Sequence, residues 1–174
     1  MNEQRTISWW SVGLKYGLIT GLVGSVLAMI NFITGNFDNI WLMFVIGLAI
    51  YILAIVLAHR EYKANNAGYM TYGEGLMIGT LTVFIAGVIG GLFSYVYIEF
   101  VDPGILNKMV EVQIRMMENF GLPEDKLDEA IQKVERDTTA ANQLKSGLIN
   151  GIFSGLVLSL IVSAFTKKRM PEFE

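Results

Sequence analysis

Four stretches of this chain run the thickness of a lipid bilayer without one charged side chain, and nothing else in the sequence restricts the fold as much. They are Tyr16 to Ile33, Ile40 to Ala58, Leu76 to Ile98 and Gly147 to Thr166, of 18, 19, 23 and 20 residues. A transmembrane helix needs about 20 apolar residues, because a rise of about 1.5 Å per residue must cover about 30 Å of hydrocarbon. A water-soluble chain of 174 residues is too small to cover four such helices. The charges agree: of 29 charged side chains, 16 fall between Glu99 and Lys145. A net charge of −3 speaks against a nucleic-acid surface. The absence of cysteine excludes disulfides, thiolate metal sites and a cysteine nucleophile. The first run exceeds the roughly 7–15 residues of a signal-peptide core and no small-x-small cleavage site follows Ile33, so it is expected to stay as a helix.

The expected fold is therefore all-α: a polytopic membrane protein, one domain over residues 1–174, with spans at about 12–33, 40–58, 75–98 and 147–166. Basic residues orient it. Arg5 and Lys15, then Arg60 and Lys63, then Lys167, Lys168 and Arg169 share one side only if the chain crosses four times. The link from Thr34 to Asn39 has no basic residue and contains Asp38. By the positive-inside tendency both termini are expected in the cytoplasm. The connection from Glu99 to Ser146, with six basic and ten acidic residues, is placed outside. Within it an extracytoplasmic helical hairpin is expected at 102–144. Asp102 and Pro103 signal a helix start and Gly121 a stop after about Asn119. Ile105, Met109, Val112, Met116 and Phe120 recur at helical spacing. Pro123 opens the second helix, with Leu127, Ile131, Val134 and Ala141 as its apolar positions.

Small residues predict the packing. In lipid, helices gain little by burying apolar side chains against one another, so they associate where backbones approach closely. The first span has Gly13, Gly17, Gly21 and Ser25; the third has Gly75, Gly79, Gly87 and Gly91; the fourth has Gly147, Gly151, Gly155, Ser159 and Ser163. Glycine costs helix propensity at each position, so three such ridges ask for a packing reason. The second span has only Gly47 and is expected at the edge of the bundle or facing a partner.

No charge sits at the centre of a span, where it would cost at least about 2.5 kcal/mol. Lys15 and Glu74 mark one interface, Glu99 and Lys145 the other, and each couple is expected to form an ion pair. Asn31 and Asn150 occupy similar depths and are expected to bond across helices. His59, the only histidine, is expected to lie at headgroup level. GEGLMIG from Gly73 has the spacing GxGxxxG and no strand around it, so it is no dinucleotide fingerprint. The sequence offers no catalytic constellation, no metal set and no cofactor motif.

Four segments carry a family resemblance: LKYGLITGLVGSVL from Leu14, GYMTYGEGLMIGTLT from Gly68, YVYIEFVDPGIL from Tyr95 and GLVLSLIVSAFTKK from Gly155. In these the chain resembles the bacterial membrane family catalogued as domain of unknown function 4199, known mostly from Bacteroidetes. The resemblance implies a four-span protein of the bacterial inner membrane with an outward helical segment. It brings no activity and no catalytic residue. The expected role is a non-enzymatic structural or accessory subunit, embedded in the lipid bilayer and partnered by a second copy or another membrane protein. A small oligomeric channel or transporter is the alternative, and a membrane enzyme comes third.

Overall fold

The computed structural model describes residues 7–35, 39–119 and 123–168. Arg5, Asp38, Phe120, Gly121 and Arg169 lie outside the described residues. Within them the chain forms α1 (Trp9–Thr34), α2 (Ile40–Ala64), α3 (Tyr72–Phe100), α4 (Ile105–Asn119), α5 (Glu124–Asp137) and α6 (Ala140–Thr166). Helices α1, α2, α3 and α6 are each long and apolar enough to cross a membrane.

Each spanning helix outruns its apolar run, and in three of them local chemistry sets one end. α1 ends at Gly35, whose φ of 63° is the left-handed conformation glycine adopts without penalty, and the Gly35 N–H closes on Asn31 O. α3 begins with a capping box: the Thr71 hydroxyl accepts from the Glu74 N–H, and the Glu74 carboxylate accepts from the Thr71 N–H. α6 starts at Ala140, before the apolar run at Gly147, because Thr139 is extended and its side chain accepts from the Asn142 N–H. That cap also corrects the expected outer segment. α5 ends at Asp137, so Ala141 belongs to α6 rather than to the second outer helix.

α3 is the axis of the bundle, with α1 and α6 packed on two of its faces. Gly13 abuts Leu81, Gly17 abuts Ile85 and Gly21 abuts Ile89, so numbering rises together along α1 and α3 and the two run parallel. Against α6 the order reverses: Gly75 meets Ser163, Gly79 meets Ser159, Gly87 meets Gly147 and Gly151, and Gly91 meets Leu144. Gly155 lies on Thr80 and Val83. All ten glycines singled out on the three ridges thus have a neighbouring helix within 4 Å, whereas Gly24, Gly47 and Gly90 face open space. The two seams differ in kind. Along α3 and α6 small residues meet small residues, while the groove of α1 takes the branched side chains of Ile85 and Ile89 as knobs.

α2 is held at one end only. Its buried residues, Ala54, Ile55, Ala58, His59 and Tyr62, all lie in its last three turns, and none from Trp41 to Leu53 is buried. At that end Val12, Ala58, Tyr62, Met70 and Ile78 form one apolar cluster, with Ile7 packed against it. Met70 and Lys168 exchange main-chain hydrogen bonds of 2.9 Å in both directions. The first and last described segments therefore share one end of the bundle. At the opposite end Phe32, Ile98, Ile105 and Ala140 cluster, which seats the first turn of α4 on the tips of α1, α3 and α6.

Candidate functional site

Polar side chains gather at the end of the bundle that carries the first and last described segments. His59 stands at its centre. The apolar face of α2 passes through Ile55, Ala58 and Tyr62, and His59 continues that face instead of turning to the headgroups. Its ring is 0% exposed, so at this end of the bundle it faces the neighbouring helices. Nε2 lies 2.9 Å from the Gly75 carbonyl of α3 and Nδ1 lies 2.7 Å from the Thr166 hydroxyl of α6. A carbonyl only accepts, so Nε2 carries the proton in this bond. The Thr166 hydroxyl beside Nδ1 also lies 2.9 Å from the Val162 carbonyl of its own helix, so its one hydrogen has two acceptors within reach when the ring is neutral. Lys63, one turn on, donates to the Thr166 carbonyl at 2.9 Å, where the carbonyl end of α6 favours a cation. Ser159 of α6 donates to Leu76 O at 2.9 Å. The Ser163 hydroxyl, buried beside Gly75, has no hydrogen-bond partner.

Neither expected ion pair forms among the described residues, and that of Lys15 is replaced by another. Lys15 pairs with Glu61 at 2.7 Å, and the Tyr16 hydroxyl donates to the same carboxylate at 2.9 Å. Glu74 accepts from the Tyr62 hydroxyl at 2.6 Å and from Thr71, whose N–H is 2.7 Å away. The reason is local: as the third residue of α3, Glu74 bends back to its own cap, leaving Glu61 of α2 to face Lys15. Among the described residues no ion pair joins Glu99 to Lys145, and both are exposed. In water such a pair gains little over two hydrated ions. Nor do Asn31 and Asn150 bond. α1 and α6 pack on α3 rather than on each other, so the two amides look onto different openings.

Those openings are the second feature. Above its pinned end α2 stands away from the bundle and leaves clefts on both sides of itself. One, of about 280 Å³, lies between α1, α2 and α3, where Thr20, Asn31, Gly47, Gly90 and Ser94 line it. Its neighbour, about 360 Å³, is walled by Ser94, Gln143, Ser146, Asn150 and Ser154. Tyr51, Ala86, Gly90 and Ser94 border both. A third hollow, between Phe44 of α2 and Phe153 of α6, is almost wholly apolar. The clefts thus offer neutral amides and hydroxyls beside open glycine surface. Among the described residues no three histidine, cysteine, aspartate or glutamate side chains are placed to hold a metal ion.

Four long apolar helices, three of them locked together and a fourth tethered at one end, define a multi-pass α-helical membrane protein. The chain matches, over residues 15–168, a family model described as a protein of unknown function, DUF4199, and it belongs to that family. No curated protein and no solved structure matches it.

Proposed function

We propose that the chain is a non-enzymatic accessory subunit of the bacterial inner membrane, with both termini cytoplasmic and α4 and α5 forming an extracytoplasmic hairpin. In this reading the small-residue ridges hold α1, α3 and α6 as a rigid core, and the open side of α2 receives a helix of another membrane protein. The observation that carries it is the uneven attachment of α2. Five buried residues fix its last three turns, while its outer half stands beside glycines with nothing within 4 Å, Gly24, Gly47 and Gly90. Glycine surface of this kind admits a helix backbone, and Asn31, Ser94 and Asn150 supply amide and hydroxyl groups for interhelical bonds.

The polar lining of the two clefts supports a second reading, a small transporter in which α2 moves against a fixed core. The junction at His59 would close such a path at the end of the bundle around Met70 and Lys168. Purification in mild detergent followed by intact-mass measurement separates the two. The accessory reading predicts a stoichiometric foreign membrane protein that is lost when Gly90 is replaced by tryptophan. A chain that copurifies only with itself and passes solute across liposomes would support transport and overturn the first reading.

A further inference from the structure

The two described carboxylates at the end of the bundle around Met70 and Lys168 are both consumed internally. Glu61 receives Lys15 on both oxygens, at 2.9 and 2.7 Å, and the Tyr16 hydroxyl as well. Glu74 receives Tyr62 on one oxygen and Thr71 on the other. Neither is left to neutralise the cations around the tip of α6. There Lys63 donates to the Thr166 carbonyl, and Lys167 and Lys168 follow directly in the chain. Among the described residues none of these three lysines forms an ion pair with a carboxylate.

The lysines are also positioned. The Lys167 ammonium stands 5.7 Å from the centre of the Tyr72 ring and that of Lys168 stands 5.6 Å from Tyr69. The paired main chains of Met70 and Lys168 fix the strip that carries them. Tyrosine rings settle at headgroup depth in a bilayer, so these ammonium groups lie where lipid phosphates lie. Each lysine near an anionic surface strengthens attachment about fivefold.

We infer that Lys63, Lys167 and Lys168, with Tyr69 and Tyr72 beside them, form a binding surface for the phosphate headgroup of an anionic phospholipid. The lipid stands at the tip of α6 and bridges the end of α2 to the start of α3. Its acyl chains continue along the exposed apolar surface of α6, where Ile161 and Phe165 face outward.

The test is native mass spectrometry of the full chain released from detergent containing equal phosphatidylglycerol and phosphatidylethanolamine. The unmodified protein should retain phosphatidylglycerol in clear excess. The double variant Lys167→Gln with Lys168→Gln, which keeps the main-chain pairing, should lose that preference by about 25-fold. Lys108→Gln with Lys133→Gln, at the far end, should leave it intact. Equal retention of the two lipids by the unmodified protein would overturn the proposal, as would an undiminished preference in the double variant. Inorganic phosphate at millimolar concentration should not displace the lipid; complete displacement would mean that the surface takes the free ion and that the lipid assignment fails. An unchanged thermal transition of the double variant in neutral detergent separates lost binding from lost fold.

Discussion

The fully buried ring of His59 places Nε2 2.9 Å from the Gly75 carbonyl, and this contact, together with Thr166 at Nδ1, joins α2 to both α3 and α6. Removing the ring by His59→Ala opens a cavity and strips two hydrogen bonds from a site that water does not reach. The expected loss is about 2–4 kcal/mol of stability in detergent, read as a lower unfolding temperature. Spin labels at positions 44 and 153 should also move apart as α2 swings free, and an unchanged distance would show that α2 is held elsewhere.

The glycines divide into two groups that a pair of alanine variants distinguishes. A Cβ at Gly17 would lie 2.6 Å from the Cβ of Ile85 and 2.9 Å from the Thr82 carbonyl, so Gly17→Ala must push α1 off α3. It should cost about 1–3 kcal/mol. Gly24, on the same helix, has nothing within 4 Å, and Gly24→Ala should be neutral or gain up to about 1 kcal/mol of helix propensity. Thermal unfolding of both variants in one detergent makes the comparison.

Two serines of α6 should respond in opposite ways. The Ser159 hydroxyl bonds Leu76 O at 2.9 Å, so Ser159→Ala should cost about 0.6–1.7 kcal/mol, the range of interhelical bonds in membranes. Ser163 is buried with an unpartnered hydroxyl, and Ser163→Ala removes a polar group that gains nothing. That variant should melt at or above the temperature of the unmodified protein.

Charge reversal identifies the partner of Lys15. If Glu61 is that partner, Lys15→Glu combined with Glu61→Lys should recover the stability that each single change loses. Lys15→Glu combined with Glu74→Lys should recover none, because Glu74 is bound to Tyr62 and Thr71. A double-mutant cycle at low salt, where exposed pairs are least screened, reads the difference.

The four crossings were legible because hydrophobic runs of 18 to 23 residues admit almost no other use in a chain of this size. Individual side-chain partners were not. Lys15 and Glu74 sit at matching depths, but depth leaves the rotation of each helix open, and the capping box at Thr71 turned Glu74 away. His59 looked interfacial because Arg60 and Glu61 follow it. A closer signal was the spacing Tyr51, Ile55, Ala58, His59 and Tyr62, which places the histidine on the inward face of α2. The seam of α1 was half visible: the sequence marked its glycines, but only the parallel packing of α1 on α3 showed that isoleucines, not small residues, fill the groove.

Sidedness tests the whole account most directly. The chain has no cysteine, so single cysteines can be placed at positions 8, 133 and 168 and probed in sealed vesicles with a membrane-impermeant maleimide. Four crossings predict that positions 8 and 168 label from the same side and position 133 from the other. Labelling of 8 and 168 from opposite sides, or of all three from one side, would contradict it.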